Sequence, residues 1–148
     1  MDFFVAVGDT AEFTKTIGET DIAMFSAVSG DFDPIHVDEE YAKRSQFGRR
    51  IAHGGIATSL FSTTSSRISQ LAKRRGAPGV SVSLGYDRIR FLAAVYPGDT
   101  LTARYVVSRL DPERGRSHAD LVVVNQRGEK VCVGEHVMKW LPPTAAPT

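Results

Sequence analysis

Asp31 and His36 stand five residues apart in the stretch Ser29-Gly30-Asp31-Phe32-Asp33-Pro34-Ile35-His36-Val37-Asp38, where Gly30 and Pro34 punctuate the backbone. A carboxylate and an imidazole held that close can pass a proton to and from a small reactant. Further along, Phe47-Gly48-Arg49-Arg50-Ile51-Ala52-His53-Gly54-Gly55 leads into an apolar-periodic run. A glycine at the start of a helix presents backbone N–H groups that lack a carbonyl partner, at the positive end of the helix dipole. Such a donor suits an oxygen that gains negative charge during a reaction. Asp31, His36 and Gly54 therefore form a candidate set of acid, imidazole and oxyanion donor.

The elements that must position this set are legible in outline. Residues 10–17 fit a strand, and Thr20-Asp21 is expected to cap a helix with Ile22, Phe25, Ala27 and Val28 on its apolar side and Gly30 at its end. A loop is expected from Asp31 to Val37, and Asp38-Glu39-Glu40 supplies acids to the first turn of a short helix ending near Arg44. From Gly54 to Lys73 runs the longest helical pattern, with Ile56, Leu60, Phe61, Ile68 and Leu71 at 3- and 4-residue spacings. Ala57, Ser59, Ser62 and Ser65 are small enough to let this helix approach a sheet closely. Alternation then marks strands over 80–91, 99–110, 115–125 and 130–141, separated by turn sequences such as Asp111-Pro112-Glu113-Arg114-Gly115 and Gln126-Arg127-Gly128-Glu129. One strand, a long helix and an antiparallel meander predict an α+β domain over residues 1–141. Residues 142–148, Pro142-Pro143-Thr144-Ala145-Ala146-Pro147-Thr148, read as a disordered tail.

The two motif halves resemble the MaoC-like, (R)-specific enoyl-CoA hydratases. The resemblance rests on Gly30, Asp31, Pro34, Ile35, His36 and Asp38, then Phe47, Ile51, His53 and Gly54, with support from Arg90-Phe91 and Val95-Tyr96-Pro97-Gly98-Asp99. It implies a hot-dog fold, in which a curved antiparallel sheet wraps a long central helix. It also implies reversible addition of water to a trans-2-enoyl thioester. On that resemblance Asp31 is the base or water-orienting carboxylate, His36 shares the water and the proton, and the Gly54 N–H holds the thioester oxygen. Ser62 matches a position near the family's active site, although helix packing explains it equally well. Asp33 replaces the Asn usual in the motif and is a candidate modulator, since it adds a carboxylate beside Asp31. The resemblance further implies coenzyme A or acyl-carrier-protein thioesters as substrates, water as the co-reactant, no metal or redox cofactor, and a homodimer or a multiple of dimers.

Composition agrees with a single globular domain. The chain has 148 residues, 42% hydrophobic and 24% charged, with a formal net charge of +1, which gives no reason to expect nucleic acid or a membrane surface as partner. Its single cysteine, Cys132, falls in an alternating apolar run and reads as a buried strand residue. Without a signal segment or a membrane-length apolar run, a cytoplasmic setting is the default.

Other assignments are weaker. His53 reads as a helix-capping or loop-packing residue, and His118 and His136 as surface or interface residues on strands. Calcium does not fit Asp31, Asp33 and Asp38, because Ile35 and His36 stand where a calcium loop needs an oxygen ligand and a glycine. Zinc on His36 and His53 lacks further ligands at suggestive spacing. Arg49, Arg50, Arg88 and Arg90 are solvated charges by default, candidates for coenzyme A phosphates by position; Arg90 is alternatively a partner for Asp31 or Asp99. An acyl-CoA thioesterase on the same fold is one rival function. A non-catalytic acyl-thioester-binding subunit is another, and it predicts loss of Asp31 or His36.

Overall fold

The computed structural model describes residues 3–143. Five antiparallel strands form one sheet in the order β1-β3-β4-β5-β2: β1 (Thr10–Thr16), β2 (Val80–Phe91), β3 (Thr100–Asp111), β4 (Arg116–Val124) and β5 (Lys130–Leu141). Between β1 and β2 lie helices α1 (Glu19–Ser29), α2 (Pro34–Val37), α3 (Glu39–Lys43) and α4 (Gly54–Arg74). The last of these packs across β1 and β3 and reaches β2 and β5. This is the α+β arrangement of a long helix on an antiparallel sheet, and the expected strands and long helix fall within a residue or so of the observed ones.

Alternation explains the sheet. Leu101, Ala103, Tyr105 and Val107 on β3 and Ala119, Leu121 and Val123 on β4 turn inward and are buried. The opposite face of β3 carries Thr100 and Thr102, whose hydroxyls meet those of Thr16 and Thr14 on β1 at 2.8 Å each. Ile56, Leu60, Phe61 and Ile68 of α4 close the core against that inner face. Of the small residues expected at the helix–sheet contact, Ala57 and Ser65 are buried, whereas Ser59 and Ser62 face outward.

Two local expectations are corrected. The α1 helix starts earlier than Thr20-Asp21 suggested: Gly18, two residues before Thr20, is the N-cap residue, and the Asp21 carboxylate reaches back to accept from its N–H at 2.8 Å. Its inward side is Ile22 and Ser26, while Ala27 and Val28 are exposed, so only the residues four apart share the buried face. The segment 31–37 is not wholly a loop, since Pro34–Val37 forms one helical turn capped by the Asp33 side chain. The other short helix behaves as expected, with Asp38 capping it through the Tyr41 N–H. Of the expected tail, residues 144–148 lie outside the described residues.

Candidate active site

Local chemistry pins the loop that carries Asp31 and His36. Gly30 ends α1 in the left-handed conformation, φ 77°, and turns the chain toward Asp31. One Asp31 oxygen then accepts from the Asp33 N–H at 3.1 Å, and one Asp33 oxygen accepts from the Ile35 N–H at 3.0 Å. These successive side-chain caps compress the segment into α2 and leave the other Asp31 oxygen free. A carboxamide at position 33 would supply the same capping oxygen.

His36 is held from the other side. Its Nδ1 lies 2.7 Å from the Ile51 carbonyl oxygen, which can only accept, so the proton resides on Nδ1 and the neutral ring keeps a lone pair on Nε2. That Nε2 faces the Asp31 carboxylate across 4.0 Å. The gap admits a water within hydrogen-bond reach of both. The strand-like segment before α4 is itself fixed: Ile51 N–H donates to Ile35 O, and Ala52 N–H to Val95 O. Arg50 locks its start, with both guanidinium Nη atoms on Glu19 at 3.0 and 2.8 Å and Nε on Glu39 at 3.0 Å. It is thus a structural clamp, and Arg49 lies over the Tyr96 ring, 4.2 Å from its centre.

Gly54 opens α4 and lines a cavity of about 450 Å³ together with His36. Phe47, Ile51, Phe91 and Val131 are among the other walls, and apart from His36 every lining residue is hydrocarbon or glycine. A Cβ on Gly54 would come within 2.7–2.9 Å of the Phe91 ring, so the glycine is required by close approach. Gly55 is similarly covered by Phe25. The start of α4 at Gly54 therefore lines the same apolar cavity as the imidazole, where a charge-stabilising donor would act strongly.

His36 is brought beside Asp31 and shares a cavity with Gly54; Ser62 does neither. It is exposed and lines a separate groove with Ser65, Ser69, Ser81 and Ser83, because α4 carries it two turns beyond Gly54. Asp33 is occupied as a cap. His53 is buried, at 3% exposure, packs against the loop, and makes no side-chain cap on α4. His136 differs from the surface or interface position expected. It is fully buried on β5, with Nδ1 at 3.0 Å from Tyr105 Oη and Nε2 at 2.8 Å from Ser83 Oγ, and burial pushes its pKa down to about 4. The signal was its parity: it shares a strand face with Met138 and Trp140. His118 is half-buried, and desolvation lowers its pKa. Arg90 pairs with neither Asp31 nor Asp99: its Nη1 donates to Ile89 O, and Asp99 instead accepts from Gln126 and the Tyr96 N–H. Arg88 is paired with Glu135. The sequence reading did not name Ser26, and it gave Phe25 only a place on the apolar side of α1 and Phe91 only a part in the resemblance; all three reach the site through tertiary packing.

One ligand atom from each of Asp31, His36 and His53 lies within 4.8 Å of the others. The two imidazoles, however, stack face to face, with centroids 3.8 Å apart and planes at 29°. Stacked rings direct their in-plane nitrogens along near-parallel lines, unlike the converging ligands of a tetrahedral site.

The MaoC like domain family matches residues 4–127. The chain belongs to this family. It is 39% identical over 108 residues to the (R)-specific enoyl-CoA hydratase of Rhodospirillum rubrum, covering 72% of this chain and 69% of the relative. To the (R)-specific enoyl-CoA hydratase of Aeromonas caviae it is 32% identical over 133 residues, covering 90% and 93%. The solved structure of the Aeromonas caviae (R)-hydratase superposes with a TM-score of 0.78 at 32% identity, over 91% of this chain and 96% of that one. That of an R-hydratase from Pseudomonas aeruginosa does so with a TM-score of 0.76, over 98% and 96%. Among MaoC-like proteins this chain thus has the hot-dog fold, and the expected long helix within a curved sheet is what the fold provides.

Proposed function

We propose that this MaoC-like chain is an (R)-specific enoyl-CoA hydratase, adding water reversibly to a trans-2-enoyl thioester. The observation that carries the mechanism is His36: one ring nitrogen is tied to a backbone carbonyl, and the other faces the Asp31 carboxylate across a gap of one water, beside Gly54 in a single cavity. A water held between them loses a proton to the pair as its oxygen bonds to C3. The electrons of the double bond move toward the thioester carbonyl, whose oxygen accepts from the Gly54 N–H as negative charge grows. A proton returned from the pair to C2 completes the addition, and the pair ends as it began. The two proton transfers belong to the Asp31/His36 couple as a unit.

No oxidation state changes overall, so the reaction calls for no redox cofactor, and Asp31 and His36 can handle the protons without a metal. The hydrocarbon lining of the cavity supports an uncharged acyl group on a coenzyme A or acyl-carrier-protein thioester. We also propose a homodimer. The edge strand β2 exposes Val82 and Leu84, and Phe91 and Leu92 follow at more than half exposure, so a second copy covering that edge would hide apolar surface. No helix among the described residues is long and apolar enough to cross a membrane. A cytoplasmic setting is part of the same proposal.

The test is incubation of the purified protein with short, medium and branched trans-2-enoyl-CoAs, following loss of conjugation and resolving the 3-hydroxyacyl product by chirality. Formation of the (R) product is expected. Release of free coenzyme A without hydration would favour the thioesterase reading, and the (S) product would overturn the stereochemical assignment.

A further inference from the structure

His53 touches both members of the proposed catalytic pair. Its Nε2 lies 3.0 Å from the Asp31 carbonyl oxygen and 3.3 Å from Ser26 Oγ, and its ring is stacked on that of His36. Phe25 covers the ring from α1, with centroids 4.9 Å apart. Nδ1 is buried and has no hydrogen-bond partner. A proton there would be a buried donor without an acceptor. The hydrogen bond to Asp31 O, a carbonyl that can only accept, therefore places a hydrogen on Nε2. His36 and His53 consequently carry their hydrogens on opposite nitrogens: Nδ1 in the one, Nε2 in the other.

We propose that His53 is a positioning residue for the reaction, fixing Asp31 through its backbone carbonyl and His36 through ring stacking. The inference rests on the reading of Asp31 and His36 as the catalytic pair. His36 has one hydrogen bond, to Ile51 O, and that bond leaves the ring free to swing about it. The His53 face removes the swing. Asp31 sits just past the left-handed turn at Gly30, half exposed, and the His53 N–H is what ties its backbone to the buried side of the site. A single rigid ring thus sets the distance between carboxylate and imidazole. A misplacement on the order of 1 Å in such a pair costs about a hundredfold in rate.

The experiment compares His53→Ala, His53→Phe and His53→Gln with Asp31→Ala, measuring kcat and KM for an enoyl-CoA and the melting temperature of each. His53→Ala is expected to lower kcat by about a hundredfold with KM changed by less than about twofold. His53→Phe keeps the stacking face and His53→Gln keeps a donor, so each should recover part of the lost kcat without a matching gain in melting temperature. A folded His53→Ala protein with kcat within about twofold of the parent would overturn the inference while Asp31→Ala remains inactive. An active Asp31→Ala protein would instead overturn the catalytic reading beneath it. If His53→Ala does not fold, His53→Phe and His53→Gln decide: full kcat in both refutes a positioning role, and a kcat deficit in folded protein supports it.

Discussion

Among the described residues, two imidazole sites are wired oppositely. At the N-terminus of α4, His36 has one nitrogen satisfied by a carbonyl and the other left open toward a half-exposed carboxylate. Beneath the sheet, His136 has both nitrogens engaged by hydroxyls, from Tyr105 and Ser83, and no carboxylate is hydrogen-bonded to it. A proton-transfer group needs an occupied nitrogen to fix its tautomer, an unoccupied one to react, and a nearby anion to stabilise the charged state. An imidazole with both nitrogens satisfied and no anion to pair with is held neutral, and its pKa falls to about 4 here because burial penalises the cation. The comparison teaches that an unengaged nitrogen facing a carboxylate, more than burial, separates His36 from His136. Ser83 beside His136 illustrates the point: the geometry of a nucleophile and base is present, but the base is too weak to charge.

The sharpest break of this comparison is removal of the reacting groups. Asp31→Ala and His36→Ala should each lower hydration by about a thousandfold while circular dichroism and melting temperature stay near those of the parent. An Asp31→Ala protein that is folded and nearly fully active would end the mechanism. By contrast, His136→Gln should leave kcat within about twofold, because no reacting atom depends on it.

Crowding the donor comes next. Gly54→Ala places a methyl against the Phe91 ring and beside the first-turn N–H groups, so turnover should fall about ten- to a hundredfold, more than thermal stability suffers. A bound acyl thioester whose carbonyl oxygen lies away from the Gly54 N–H would refute the oxyanion assignment. Since Phe91 is largely exposed, Phe91→Ala combined with Gly54→Ala should restore fold stability and leave the rate low.

The structural histidine is expected to declare itself in acid. Its folded pKa is depressed from 6.5 to about 4, so between those values the unfolded chain binds a proton that the folded chain refuses. Stability is therefore fully present above about pH 6.5 and declines as pH falls toward about 4, by about 3 kcal/mol at most. Melting temperatures of the parent and His136→Gln across that range provide the check. The parent should lose more on acidification, and parallel curves would mean that His136 does not titrate as its burial implies.

The smallest effect is expected at Asp33. Asp33→Asn retains the oxygen that accepts from the Ile35 N–H, so the α2 cap and turnover at neutral pH should persist within about twofold. Loss of a neighbouring carboxylate should shift the pH–rate profile slightly, and an unchanged profile would place the Asp33 charge out of electrostatic reach of Asp31.

Much of the fold is written locally. Alternation along 100–111 and 130–141, helical spacing from Ile56 to Ile68, and the turns between strands depend on near neighbours in the chain, and the structure follows them closely. The proximity of Asp31 and His36 is local too, since two Asp caps and Pro34 fold a short segment upon itself. What the sequence left open depends on contacts between distant segments. The stacking of His53 on His36, the cover of Phe91 over Gly54, the burial of His136 next to Tyr105 and the departure of Ser62 into another groove arise from which strands are neighbours and how α4 is rotated against them. Those choices minimise exposed apolar surface and unpaired polar groups over the whole chain, and no short window of residues contains that information.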